Sequence, residues 1–80
     1  DAEAEMIEAE VLGTSPLAGH LIRDIDFPEG VLVGAVMKRG QVLKPTGDLR
    51  VDEGDAIALF AMAKDVPEVE RLLQVSITYF

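Results

Sequence analysis

Apolar and acidic residues alternate along the first predicted element. Over residues 5–12, one face of an extended chain would carry Ile7, Ala9 and Val11, and the other face would carry glutamates. A period of two is typical of a strand with one buried face. After an acidic leader of residues 1–5, the chain is therefore predicted to begin with a half-buried strand.

The most apolar stretch predicts the central strand. Residues 31–37 are apolar throughout, apart from Gly34, and the stretch stops at the Lys-Arg-Gly sequence of residues 38–40. Such a run predicts a strand that is buried on both faces. The missing side chain at Gly34 suits the close approach of a helix or of another chain. A short return strand is predicted over Gln41–Leu43.

A helix is predicted between these two strands. Ser15 before Pro16 is a typical helix start, because the serine side chain accepts an early backbone N–H and proline has no N–H to leave unpaired. Leu17, Leu21 and Ile25 then follow at positions i, i+4 and i+8, which places them on one face of a helix.

A second helix is predicted near the end of the chain. Asp65 stands at an N-cap position, and Glu68 three residues later completes the pattern of a capping box. An apolar strand over Ala56–Met62 is predicted before this helix and a short final strand over residues 76–80 after it. The apolar face of the helix is predicted to consist of Val66, Val69, Leu72 and Leu73.

The predicted element order is β-α-β-β-β-α-β, which describes a small α+β sandwich with two helices packed on a sheet. Eighty residues suffice for one domain, and cores of this size are often supplemented by oligomerisation. Because the chain starts at Asp1 rather than at methionine, we expect it to be a piece of a longer protein.

Composition argues against several classes of function. Fifteen acidic and seven basic residues give a formal net charge of −8, which disfavours nucleic acid and anionic membrane surfaces as partners. The absence of cysteine excludes disulfides and thiolate metal sites. No apolar run approaches the roughly 20 residues that a membrane-spanning helix needs.

The residue types of common catalytic sites are nearly absent. His20 is the only histidine, so the chain alone offers no histidine-based metal site. Ser15 stands at a capping position with no general base beside it. We therefore expect no enzyme activity, no catalytic residue and no metal. One loop is dense in acidic residues, which favours a turn that starts the next strand, with a weak cation site as the alternative: Asp48, Asp52, Glu53 and Asp55.

Two pairs of charged residues lie at the ends of predicted elements. Lys38 and Arg39 directly follow the central strand, and they indicate either a hairpin end that blocks edge pairing or an anion contact at a subunit interface. Arg23 and Asp24 close the first predicted helix, where a cation near the C-terminus is favourable in itself. The alternative is that this second pair faces a cleft.

Taken in order, these residues resemble the RCK C-terminal domain, also called the TrkA C-terminal domain, over nearly the whole chain. The tail from Asp65 through residues 76–80 is similar to the extreme C-terminus of one protein of that family. The resemblance rests on the following residues and motifs in their order along the chain: Glu10-Val11, residues 15–19, Leu21, Ile25, Pro28, residues 31–36, Arg39-Gly40, Pro45, Leu49, and Gly54-Asp55 before residues 56–60.

The resemblance implies that residues 6–80 are a cytoplasmic regulatory and dimerisation domain of a bacterial potassium uptake system of the Trk/Ktr type. Such a domain would gate ion transport through a ligand-sensitive rearrangement of its dimer. It would be peripheral to the inner face of the membrane, through a membrane-embedded transporter subunit. NAD(H) or ATP/ADP is expected only on a Rossmann lobe that these residues do not contain. The alternative is a structural C-lobe of another cation transporter or antiporter, with no ligand of its own.

In some relatives the dimer cleft of this lobe binds cyclic di-AMP or cations. The resemblance therefore implies a homodimer, with a small anionic ligand such as cyclic di-AMP as a candidate for its cleft. By position, the candidate ligand-binding residues are Arg23, Asp24, Ile25, Val36, Met37, Lys38 and Arg39. The dimer interface is expected at the central strand and includes Val31, Leu32, Val33, Ala35 and Met37.

Overall fold

A computed structural model describes residues 3–74, so the predicted final strand over residues 76–80 lies outside the described residues. The described part of the chain is a small α+β unit, as predicted, with one α-helix, α1 (Val66–Leu73). Single turns of 3-10 helix occur at Ile22–Asp24 and Ala63–Asp65. The strands are β1 (Ala4–Glu10), β2 (His20–Leu21), β3 (Val31–Lys38), β4 (Gln41–Leu43), β5 (Arg50–Val51) and β6 (Ala56–Met62).

Four of these strands form one antiparallel sheet in the order β1-β6-β3-β4. The inner strands are β6 and β3, and Leu59 of β6 lies opposite Ile7 of β1 and Val33 of β3. The register between β3 and β6 shifts between Val33 and Ala35, so that Gly34 forms a bulge. The strands predicted over Gln41–Leu43 and Ala56–Met62 are confirmed with the same bounds.

The hydrophobic core lies on one face of this sheet. It is closed by α1 and by the segment between β1 and β3, whose Leu17 is fully buried. Helix α1 contributes three buried side chains at the spacing of an amphipathic helix, so its packing rather than its length accounts for its stability. The buried apolar residues are Ile7, Val11, Leu17, Val31, Val36, Val51, Ile57, Leu59, Ala61, Val66, Val69 and Leu73.

The predicted first helix is wrong. Residues 15–19 form consecutive turns, and the chain then enters the two-residue strand β2, in which His20 pairs with Val51 of β5. Gly19 has a φ of +84°, a left-handed conformation that no α-helix accommodates. Its N–H donates to the carbonyl of Val51 at 2.7 Å, so a non-local hydrogen bond replaces the helical one.

Ser15 nevertheless uses its hydroxyl in the way the helix-start pattern suggests. Its Oγ accepts the N–H of Leu17 at 3.1 Å, and it donates to the carbonyl of Leu72 near the end of α1 at 2.5 Å. The side chain is buried, so these bonds tie the turn to α1 rather than cap a helix. The Ser-Pro signal is shared by turns and helices, since both leave an early N–H without a local partner.

The predicted capping box at α1 is also wrong. Asp65 is the N-cap residue, but its side chain makes no capping hydrogen bond, and Glu68 accepts from Arg71 instead. The Asp65 carboxylate points to the place that a side chain at position 30 would occupy, which Gly30 leaves open. At the other end, the predicted acidic leader overlaps β1, which begins at Ala4.

Candidate functional site

The face of the sheet opposite the core is open and carries an apolar patch beside the glutamates of β1. Met6, Phe60 and Leu32 lie side by side across β1, β6 and β3, and the side chains of Leu32 and Met6 are 70% and 66% exposed. Val42 on β4 is 73% exposed and lies opposite Met37. Contiguous apolar patches of this kind mark interaction sites on soluble domains. We refer to Met6, Leu32, Phe60, Ala35, Met37 and Val42 as the open face.

Gly34 shapes the open face from within the sheet. A side chain at this position would place its Cβ 2.8 Å from Cε2 of Phe60, so the Phe60 ring occupies the space that the glycine leaves. The close approach expected at Gly34 therefore involves a neighbouring strand of the same chain.

The residues expected at the dimer interface divide between the two faces of the sheet. Leu32, Ala35 and Met37 lie on the open face, in register with residues of β6 or β4 on the same face. Val31 is buried and Val33 packs against the core, so neither belongs to the open surface of a single chain. Strand β3 is thus covered on only one face.

The sequence-predicted cation Lys38 is held by two carboxylates. Its Nζ donates to Asp52 Oδ2 at 3.0 Å and to Asp55 Oδ2, and Asp55 Oδ2 also accepts the backbone N–H of Asp52 at 2.8 Å. Arg50 Nε donates to Asp52 Oδ1 at 2.9 Å. This cluster fastens the end of β3 to the turn that precedes β6.

The cluster shifts the pKa values of two of its members. Burial opposes the charge on Lys38, but the hydrogen bonds and attraction from Asp55 and Asp52 outweigh burial and raise the pKa of Lys38 above its ordinary 10.5. The hydrogen bond from Lys38, with the nearby charge of Arg50, lowers the pKa of Asp52 below its ordinary 3.8. Both groups are therefore charged across the neutral range.

Arg39 lies beside this cluster at the tip of the β3–β4 hairpin. The connection has two residues, Arg39 and Gly40, with φ angles of +50° and +78°. Within residues 3–74, Arg39 makes no ion pair, and its side chain is exposed.

A cleft of about 920 Å³ opens beside the hairpin and is lined by cations and anions in equal number. Sequence reasoning identified Lys38 and Arg39 but did not single out Arg50. The signal that could have revealed it is its position one residue before Val51, since a short strand there brings its side chain to the turn of Asp52 and Asp55. The lining residues are Lys38, Arg39, Gln41, Leu43, Arg50, Asp52, Glu53, Gly54 and Asp55.

The remaining candidate ligand residues lie elsewhere in the fold. Arg23 and Asp24 are exposed in the first 3-10 turn, where the N–H of Arg23 donates to the carbonyl of Gly47 at 3.0 Å. Ile25 packs against the core and Val36 is fully buried within it. In the part of the chain that the structure describes, no hydrogen bond or ion pair joins Arg23 or Asp24 to Lys38 or Arg39.

The arrangement of residues 3–74 also bears on metal binding and on membrane insertion. No group of three or more acidic, histidine or cysteine side chains in this part of the chain has the arrangement to hold a metal ion. No helix in it has the length and apolar character needed to cross a membrane.

Sequence comparison relates the chain to one family. The family model of the TrkA-C domain matches residues 6–74. Similar proteins include the Trk system potassium uptake protein TrkA of Azorhizobium caulinodans, 49% identical over 80 residues, and that of Halomonas elongata, 42% identical over 81 residues. The TrkA homolog 1 of Methanosarcina mazei is 35% identical over 68 residues. These alignments cover 100%, 96% and 85% of this chain but only 18%, 18% and 15% of the relatives.

Proposed function

Because this chain belongs to the TrkA-C domain family, we propose that it is the non-catalytic regulatory and dimerisation lobe of a bacterial potassium uptake system. Its place would be cytoplasmic, against a membrane-embedded transporter subunit. The chain spans less than a fifth of the length of the relatives first compared above, so uptake itself would belong to the longer protein and its partners. Nucleotide cofactors are likewise not assigned to these residues.

The open face is the observation that supports dimerisation. Strands lie about 4.8 Å apart and rise about 3.3 Å per residue, so the four-stranded sheet offers a face of roughly 400 Å² in projection. A stable dimer buries about 800 Å² per partner. The open face would therefore supply the apolar centre of such an interface, and the surrounding side chains would supply its rim.

Regulation requires that a ligand distinguish between two arrangements of the dimer. A ligand shifts an equilibrium only by the difference in its affinity for the two states. The end of β3 carries both an open-face residue, Met37, and the fastened cation Lys38. A ligand that alters the cluster around Lys38 would thus act directly on the strand that forms the interface.

A chimera tests this function. The matching lobe of the Azorhizobium caulinodans relative is replaced by this chain, and potassium uptake is measured in cells that depend on the chimera. We expect uptake well above that of the relative without this lobe. Leu32→Glu is expected to reduce uptake, because it places a charge at the centre of the open face.

The matched control is Thr14→Glu, which adds the same charge at an exposed position outside the sheet. Light scattering on the 80-residue chain and its two variants reports the oligomeric state, and circular dichroism reports folding. A folded wild-type chain that stays monomeric at high concentration would refute the dimer. A chimera that transports no better than the deletion would refute the assignment to potassium uptake.

A further inference from the structure

The cleft beside the β3–β4 hairpin holds two guanidinium groups whose hydrogen-bonding capacity is largely unused. We infer that Arg39 and Arg50 form an anion-binding pair, which takes a small phosphate-bearing ligand at the rim of this cleft. This inference rests on the proposed function for its biological role. Its physical basis is the distribution of charge among the residues that line the cleft.

Two of the three carboxylates that line the cleft are already engaged. Asp55 Oδ2 receives Lys38 Nζ and the N–H of Asp52, and both oxygens of Asp52 accept from cations. The third carboxylate, that of Glu53, is exposed and lies beside Gly13. Lys38 is likewise committed to its two aspartates, so it offers little to an incoming anion.

The two arginines differ from Lys38 in this respect. Arg50 uses only Nε in its bond to Asp52, its side chain is 64% exposed, and its terminal nitrogens make no ion pair within residues 3–74. Arg39 is exposed and makes no ion pair in the same part of the chain. Guanidinium groups bind phosphate through paired N–H donors, and each arginine here retains such a pair.

The backbone at Arg39 gives an independent reason to assign it a role. A two-residue hairpin whose central residues both have positive φ favours Asn-Gly or Asp-Gly, because asparagine and aspartate tolerate the left-handed region. Arginine gains nothing from this conformation, with its φ of +50°. A residue held in an unfavourable conformation at the rim of a cleft points to a function for its side chain.

The size and composition of the cleft suit a small ligand. Its volume of about 920 Å³ lies within the range of small-molecule sites. Gln41 adds an amide group to the lining, and Leu43 adds an apolar wall. On a chain of net charge −8, the two arginines of this cleft offer exposed cations that an anion can approach.

Titration of the 80-residue chain with pyrophosphate tests the inference, using calorimetry at constant ionic strength. We expect saturable binding to the wild-type chain. Arg39→Asn should weaken binding at least about tenfold, since charge-assisted hydrogen bonds are lost. Because asparagine suits this turn, the same variant should unfold at the same temperature as the wild type or higher. Arg50→Gln should weaken binding to a similar extent.

Arg71→Gln is the matched control, because Arg71 is an exposed cation on α1 that does not line the cleft. An equal loss of affinity in this variant would show a general charge effect and overturn the inference. Unchanged affinity in Arg39→Asn, or no saturable binding by the wild type, would also overturn it. Light scattering on the same samples separates the two proposals. If binding depends on Arg39 but the chain stays monomeric, the anion site stands and the proposed dimer is refuted.

Discussion

Lys38 shows how the role of a single residue depends on its partners. From the sequence, a cation after an apolar strand suggested an available anion contact. In the structure its ammonium group is shared between Asp52 and Asp55, and the side chain is only 23% exposed. Those two partners follow Lys38 by 14 and 17 residues, so no local pattern reveals the pairing. The cation serves first to join β3 to the turn before β6.

The stability supplied by Lys38 should depend on pH in a defined way. The pKa of Asp52 is lowered on folding, so its contribution is complete above 3.8 and is lost as pH falls through the lowered value. The pKa of Lys38 is raised, so its contribution is complete below 10.5 and is lost as pH rises through the raised value. We expect Lys38→Met to lower the midpoint of urea unfolding most between pH 3.8 and pH 10.5. The effect should be smaller at more acidic and at more basic pH.

Urea unfolding of the wild type and Lys38→Met from pH 3 to pH 11.5 checks this expectation. Arg71→Met is the control, since the exposed pair of Arg71 with Glu68 should contribute little at any pH. A difference between the wild type and Lys38→Met that stays constant across the whole range would contradict the role given to the cluster.

At the scale of elements, strands were predicted more successfully than helices. The bounds of β4 and β6 were predicted to the residue, because alternation and apolar runs reflect burial against the sheet directly. The prediction of the first helix failed because Leu17, Leu21 and Ile25 have the spacing of a helix, whereas Gly19 between them interrupts it. The competing structure depends on pairing between His20 and Val51, a contact that propensity does not encode.

Gly34 in β3 should be sensitive to substitution because of a neighbouring strand. A methyl group there would approach the Phe60 ring at 2.8 Å and Ala58 O at 3.5 Å. We expect Gly34→Ala to lower the free energy of unfolding by about 1–3 kcal/mol, as overpacking of well-packed sites does. Urea unfolding of Gly34→Ala, Phe60→Ala and the double variant measures the coupling. The double variant should be more stable than the sum of the two losses implies; strict additivity would show that the ring is not the obstacle.

At the scale of the whole molecule, the family and its α+β class were apparent from the sequence, but the cleft was not. The residues of the cleft come from the β3–β4 hairpin, from β5 and from the turn before β6. Only the antiparallel pairing of β3 with β6 brings the hairpin near that turn, since Met37 lies opposite Ala56. Arg23, which was grouped with Lys38 by position, instead approaches the loop at Gly47 and Asp48. Spacing along the chain carried no information on either juxtaposition.

The net charge should govern how strongly two copies associate. Each chain carries a formal charge of −8, so a dimer formed through the open face brings two strongly acidic molecules together. The Debye length falls from about 14 Å at 0.05 M salt to about 4 Å at 0.5 M, so added salt screens this repulsion while leaving the apolar contact intact. We therefore expect the dimer dissociation constant to decrease several-fold over this range in analytical ultracentrifugation. NaCl and KCl should act alike, because screening depends on ionic strength, and Leu32→Glu should remain monomeric throughout. A dimer that weakens with salt would instead depend on ion pairs and would contradict an interface centred on the open face.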